Sequence, residues 1–235
     1  MKRNDLISFN LHGEANEIDE EERIRLITKT KRDLHELIER HNVPPGRIYN
    51  ADQTGLFFAK MPNRMYANKG ARKTLKGVKA MKSKDRISLM VCTAADGTKV
   101  PLFVVGKAKL PECIRRLCPP VPYFHQANAW FDRIVFIHWV NKVFWPFHTQ
   151  KNGDTPCILI LDNFSGQRDF DEDTARLLPR RLHLIYLPPN VTSWHQPADM
   201  GIIACLKVGY RAHLLRTLLQ IFDQEGGFER AAQER

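Results

Sequence analysis

The chain contains a short, unbroken apolar run, Cys157-Ile158-Leu159-Ile160-Leu161, which ends at Asp162. A strand that is apolar at every position is typical of a parallel sheet, because helices cover both of its faces. A second, mostly apolar run, Leu182–Leu187, ends at Pro188-Pro189. The two runs predict buried strands in a layered α/β domain.

The segments before these runs predict the rest of the sheet. A first strand is expected over Arg47–Asp52, and Ile87–Thr93 and Val100–Val105 flank Asp96-Gly97, a dipeptide typical of hairpin turns. Residues 107–129 are expected to be irregular. Helices are expected over residues 17–41, 133–146, 174–178 and 199–222. This order predicts an α/β fold with an RNase H-like mixed sheet, in which an antiparallel three-stranded start is followed by parallel strands and helices lie on both faces. Other mixed α/β folds share the order.

The positive charge is concentrated in one segment. The 235 residues carry a formal net charge of +10, and ten basic residues but only one acidic residue lie between Lys60 and Arg86. Such a block attracts a polyanion through counterion release, which makes nucleic acid the leading partner. A solvated surface loop is the alternative interpretation.

Several classes of protein are excluded or disfavoured. No apolar run approaches the ~18 residues that a membrane helix needs, and the first residues contain no secretory signal. The five cysteines suit neither a disulfide framework nor a zinc site, since Cys113, Cys118 and His125 lack a fourth ligand. Trp139, Phe144 and Trp145 are interpreted as core residues rather than a base-stacking platform. These features favour a reducing cytosol or nucleus.

Three aspartates lie where predicted strands end or a helix begins: Asp52, Asp162 and Asp199. Neighbouring strand ends converge at one edge of a mixed sheet, and three carboxylates suit hard divalent cations such as Mg²⁺ or Mn²⁺. Two ions ~3.5–4 Å apart can activate a nucleophilic oxygen and stabilise a leaving oxygen. Each aspartate also has a plainer explanation, as a turn former or a helix N-terminal charge.

The residues around the aspartates form three blocks: Asn50-Ala51-Asp52-Gln53-Thr54-Gly55, Leu159-Ile160-Leu161-Asp162-Asn163 and a long block from Leu187 to Ile202 that contains Gln196-Pro197-Ala198-Asp199. They resemble, in the same order, the blocks "N-x-D-E-T-G", "L-x-L-D-N" and "L-P-P-N-x-T-S-x-x-Q-P-x-D-x-G" of the DDE superfamily transposases. The resemblance is to the pogo and Tigger branch of the Tc1/mariner group, which includes jerky-like and centromere-binding relatives.

The resemblance implies a nuclear, metal-dependent endonuclease that cleaves and joins DNA. Asp52, Asp162 and Asp199 would be its catalytic and metal-binding residues, with two Mg²⁺ ions (Mn²⁺ also possible). The expected partners are DNA and, in a homodimer, a second copy of the chain, with no membrane. Family members retained for other purposes leave an alternative, a catalytically silent nuclear DNA-binding or scaffold protein or an inactive fragment.

The chain also departs from the family pattern. Gln53 replaces a glutamate, Gln167 stands where a histidine is common, and His195 lies in a normally aliphatic pair. Gln53, Asn163 and His195 are expected to lie next to the metal ligands and support them, although for His195 a purely structural role is the favoured interpretation. Similar family members have a tyrosine and a Lys-Gly pair within the basic segment. Contact with the DNA backbone is expected there from Tyr66, Lys69, Arg72, Lys73, Lys76 and Lys79.

The expected domain organisation has three parts. Residues 1–45 form a helical connector, residues 46–222 form the catalytic core, and residues 223–235 form a polar tail. The family carries helix-turn-helix domains ahead of its core, and the 46 residues before Arg47 are too few to build them. The chain is therefore expected to bind DNA without sequence preference.

Overall fold

The computed structural model describes residues 19–58, 85–111, 121–162, 175–188 and 196–224. The helices within these ranges are α1 (Glu20–His41), α2 (Arg133–Trp139), α3 (Trp145–Asn152) and α4 (Ile203–Gln224). The strands are β1 (Ile48–Leu56), β2 (Ile87–Ala94), β3 (Phe103–Gly106), β4 (Tyr123–His125), β5 (Cys157–Leu161) and β6 (Leu182–Tyr186). Two π-helical turns, Val140–Phe144 and Ala198–Ile202, precede α3 and α4.

The strands form one mixed sheet in the order β4-β3-β2-β1-β5-β6. β2 is antiparallel to β1 and to β3, whereas β5 is parallel to β1 and to β6, and β4 is parallel to β3. The predicted antiparallel three-stranded start followed by parallel strands is therefore confirmed. β1 lies at the boundary between the two halves, with an antiparallel neighbour on one side and a parallel neighbour on the other.

One face of the sheet is covered by α2 and α3. Tyr49 and Leu159 project from β1 and β5 into this layer and pack with Trp139 and Phe144, and all four are fully buried. Trp145 is half-buried at the edge of the same cluster. The interpretation of Trp139 and Phe144 as core residues is confirmed, because both side chains are fully buried. Burial of such large rings contributes strongly to stability.

The opposite face is covered by α1 and α4. Leu34 and Ile38, four residues apart on α1, pack on Ile158 and Ile185. At the β2 side of the same face, Ile203 of α4 packs on Val91. The predicted helices on both faces are thus confirmed, and the described helices include none long and apolar enough to cross a membrane.

The first strand is longer than predicted. It was expected to end at Asp52, but β1 continues to Leu56 because Gln53–Leu56 pair with Ile87–Met90 of β2. The backbone hydrogen bonds of the antiparallel pair extend the strand through Thr54-Gly55, which local preference marks as a turn. Asp52 therefore lies inside a strand, not at its end.

Three other segments differ from the prediction. β4 forms in the stretch expected to be irregular, through pairing with β3. The helix expected to stop near Pro146 continues to Asn152. The Trp145 N–H donates to the Val140 carbonyl, five residues back, and this widened π-helical turn accommodates the proline. Residues 176–178 form a turn and not a helix.

Candidate active site

The parallel pairing of β1 and β5 brings two of the predicted aspartates side by side. Asn50 of β1 lies opposite Ile160 of β5. Two residues further along each chain, Asp52 and Asp162 occupy matching positions, and their carboxylates are close enough to interact electrostatically. Residues that match in a parallel pair face the same side of the sheet. Asp52 is almost fully buried, whereas Asp162 is half-buried.

Asp199 reaches the same place from the turn before α4. The turn contains two non-helical residues, Met200 (ψ 28°) and Gly201 (φ 123°), so the chain changes direction directly after Asp199. Only glycine adopts such a φ without strain. The carboxyl group of Asp199 lies near enough to that of Asp52 for their charges to interact. The structure therefore places Asp52 close to both Asp162 and Asp199.

A pair of buried amide side chains fixes this turn to the sheet. Asn50 Nδ2 donates to Gln196 Oε1 (2.9 Å) and to the Ile160 carbonyl (3.2 Å). Gln196 Nε2 donates to the Ala51 carbonyl (3.2 Å), and Asn50 Oδ1 accepts from the Ala198 N–H (3.0 Å). Because Gln196 is fully buried and Asn50 nearly so, these bonds form where water does not compete. They tie β1, β5 and the Asp199 turn together.

Sequence analysis did not single out Asn50 and Gln196 as functional residues, although both lie in the blocks that it identified. The signal that could have found them is an amide side chain next to a predicted buried strand. Such a group needs hydrogen-bond partners inside the protein. Their bonds to each other and to the backbone fix the segments that carry Asp52 and Asp199.

Burial and negative charge converge on Asp52. Burial is the main cause that raises the pKa of Asp52 to about 7, and the charges of Asp199 and Asp162 add to it. The Gln53 N–H donates to Asp52 Oδ1 (2.7 Å) and acts in the opposite direction, to lower this pKa. Crowded carboxylates with no soft ligand beside them suit a hard divalent cation, since its charge relieves their repulsion. Among the described residues, no three acidic, histidine or cysteine side chains are close enough to form a ready-made metal cage. The oxygen donors of these carboxylates fit a hard divalent metal by their chemistry, and Asp199 is the most exposed of the three.

The other predicted site residues fall into two groups. Gln53 is described: its side chain alternates with that of Asp52 and lines a groove of about 200 Å³ with Thr54, Arg86 and Trp130. His125 lies half-buried on β4. The remaining candidates lie outside the described residues: Asn163, Gln167, His195, Cys113, Cys118, Tyr66, Lys69, Arg72, Lys73, Lys76 and Lys79.

Comparison with known proteins agrees with this arrangement. A family model described as DDE superfamily endonuclease matches residues 84–230, which include Asp162 and Asp199, while Asp52 precedes them. Tigger transposable element-derived protein 7 of Homo sapiens is 30% identical over 204 residues, 81% of this chain and 36% of that protein. Jerky protein of Mus musculus is 30% identical over 174 residues, 71% of this chain and 29% of that protein. The crystal structure of the Mos1 mariner paired-end complex with Mn matches with a TM-score of 0.54 at 13% identity, over 94% of this chain and 60% of that chain.

The chain therefore belongs to the DDE superfamily endonucleases. Within this superfamily its relatives are of the pogo and Tigger type, as the sequence blocks predicted, and the RNase H-like fold is confirmed. The chain spans about a third of the length of the curated relatives that it matches.

Proposed function

We propose that the chain is the core of a DNA transposase-type endonuclease that cleaves phosphodiester bonds with the help of divalent metal ions. The observation that carries this proposal is the position of Asp52, inside β1 and within interaction distance of both Asp162 and Asp199. The family match supports the class of reaction. The Mos1 mariner structure of similar fold is a paired-end complex with Mn, which supports a divalent metal.

The three aspartates would hold the metal. Mg²⁺ is the preferred ion and Mn²⁺ a substitute, and two ions fit the number of carboxylates. When bound, the metal supplies Lewis-acid activation of an attacking oxygen and stabilisation of the leaving oxygen. Asp52 must lose its proton to act as a ligand, and the positive charge of the metal favours that loss.

The protein's own contribution is placement. The Asn50–Gln196 pair holds Asp199 against β1, and the β1–β5 register holds Asp162 beside Asp52. Such preorganised ligands need no rearrangement when substrate arrives. In the reaction, an oxygen of water or of a DNA 3′-hydroxyl forms a new bond to phosphorus as the bond to the leaving oxygen breaks. The nucleophile's proton passes to solvent or to a nearby base.

The remaining expectations form part of the same proposal. Residues 46–222 would be the catalytic unit, residues 1–45 a connector and residues 223–235 a tail. The basic segment between Lys60 and Arg86 would contact the DNA backbone without reading sequence. The proposal also includes a nuclear location and a homodimer that acts on paired DNA ends.

Nicking of supercoiled plasmid by the purified chain, with Mg²⁺ or Mn²⁺, tests this function. We expect wild type to nick, Asp162→Asn and Asp199→Asn to lose nicking, and Asp33→Asn, an exposed aspartate on α1, to match wild type. Circular dichroism confirms that each variant is folded. If folded wild type does not nick, or Asp162→Asn nicks at the wild-type rate, the proposal is wrong. Retention of DNA without nicking would identify the chain as a silent DNA-binding protein.

A further inference from the structure

One side of α4 faces the carboxylates. Ile203 is buried against Val91, the β2 residue paired with Asp52. Seven residues later, the Tyr210 hydroxyl donates to the Phe58 carbonyl (2.9 Å), just beyond the end of β1. Since residues three and four apart share a helix face, Lys207 lies between these two contacts, above the last part of β1.

The Lys207 side chain is half-buried and within range of the site's charges. Both Asp199 and Asp52 interact electrostatically with its ammonium group. Burial, followed by the nearby Arg211, nevertheless lowers the pKa of Lys207. Within the part of the chain that the structure describes, Lys207 forms no hydrogen bond or ion pair.

This arrangement differs from that of a lysine that merely neutralises buried acids. A neutralising lysine gains most by a close ion pair, since burial of an unpaired ammonium is costly. Lys207 bears part of this cost of burial, yet it forms no close ion pair with a described residue. A cation of this kind next to the metal ligands can form a charge-assisted hydrogen bond to an incoming anion.

Arg211 extends the positive charge along the helix. It lies one turn beyond Lys207 and is exposed. Four residues of helix rise ~6 Å, a distance comparable to that between successive phosphates of one DNA strand. Lys207 and Arg211 therefore form a two-charge stripe that leads away from Asp199.

We propose that Lys207 binds a non-bridging oxygen of the phosphate that is cleaved, and that Arg211 binds the next phosphate of the same DNA strand. This inference rests on the proposed function and adds to it the path of the strand, along α4. The proposal also explains why Lys207 is half-buried beside the carboxylates without a hydrogen bond or ion pair among the described residues. The incoming phosphate would be its partner.

The test is DNA binding by the full chain in EDTA, where cleavage cannot occur. Fluorescence anisotropy with a labelled duplex, measured over a range of salt concentrations, gives the slope of log K against log salt. Lys207→Gln is expected to reduce the magnitude of this slope by ~0.9, and Lys207→Gln/Arg211→Gln by twice as much. Lys207→Arg is expected to keep the slope. Lys142→Gln, an exposed lysine in the helical layer on the other face of the sheet, is the matched control and is expected to leave it unchanged.

The outcomes separate the two proposals. If wild type nicks DNA, Lys207→Gln is expected to slow nicking at saturating DNA by ~10²-fold, with Lys207→Arg close to wild type. A Lys207→Gln slope equal to that of wild type, in a folded protein, overturns the inference whether or not wild type nicks. If Lys207→Gln does not fold, Lys207→Met replaces it, because it keeps the apolar stem and removes only the charge. A chain that binds no DNA in EDTA also overturns the inference.

Discussion

The side-chain amides of Asn50 and Gln196, 146 residues apart in sequence, are joined by a buried hydrogen bond of 2.9 Å. Asn50 lies two residues before Asp52, and Gln196 lies three residues before Asp199. This contact, with the bonds from Gln196 to the Ala51 carbonyl and from the Ala198 N–H to Asn50, helps to set the distance between two of the proposed metal ligands. The same asparagine also bonds to the Ile160 carbonyl, two residues before the third.

Loss of the Gln196 amide is expected to destabilise the chain. Gln196→Ala leaves Asn50 Nδ2 and the Ala51 carbonyl each short of a buried partner, at a cost of ~1–3 kcal/mol. Urea unfolding measures the difference. Gln150→Ala, an exposed glutamine in α3, is the control and is expected to change stability by less than ~0.5 kcal/mol. Equal effects of the two substitutions would show that the amide pair does not stabilise the fold.

Stability in the absence of metal is expected to fall as pH rises. The pKa of Asp52 is about 7 in the folded chain and 3.8 as its ordinary value. Between these two pKa values the folded state binds more protons than the unfolded state. The contribution of Asp52 to the free energy of unfolding therefore decreases from pH 4 to pH 7, by at most ~4 kcal/mol. Asp52→Asn is expected to remove this decrease and to be more stable than wild type at pH 7.5. Urea unfolding at pH 5 and pH 7.5 in EDTA tests it, and the same pH dependence in both proteins would contradict it.

Metal is expected to stabilise the folded chain through these carboxylates. A ligand that binds only the folded state, at 100 times its Kd, adds ~2.7 kcal/mol to the free energy of unfolding. At pH 7.5, Mn²⁺ is therefore expected to raise the melting temperature of wild type and of Asp33→Asn. Asp199→Asn is expected to respond much less. A uniform rise in all three proteins would mean that Mn²⁺ binds elsewhere.

The turn after Asp199 is expected to require glycine. Gly201 has a φ of 123°, where a side chain adds strain of ~1–3 kcal/mol. Gly201→Ala should lower the melting temperature and, by displacing Asp199, the nicking rate. Gly209 lies within α4, and an added Cβ there meets no atom within 4 Å. Gly209→Ala is thus expected to stabilise the helix by up to ~1 kcal/mol. Similar effects of the two substitutions on stability would argue against a special role for Gly201.

The sequence predicted the sheet well because its strands are strongly patterned. Cys157–Leu161 is apolar throughout, Leu182–Leu187 is mostly apolar, and Asp96-Gly97 marks the hairpin. The local pattern failed where distant contacts determine the structure. β4 exists because β3 pairs with it, and β1 extends past Asp52 because β2 continues beside it.

The candidate site was predicted in part for the same reason. The three aspartates lie in blocks that a reader can recognise, but no local property of Asn50 or Gln196 reveals that they meet. Lys207 is likewise one of many basic residues until the helix register places it above β1. The charge distribution predicted DNA contacts between Lys60 and Arg86, and no DNA contact was predicted in α4.

The long separation between Asn50 and Gln196 also bears on biosynthesis. A ribosome makes β1 and Asp52 early, and Asp162 follows 110 residues later, but the turn that carries Asp199 is made after both. A growing chain that ends before Gln196 has only two of the three carboxylates and lacks the Gln196 amide that bonds to Asn50. The proposed nuclease would therefore stay inactive throughout this stage of translation, without any separate inhibitor.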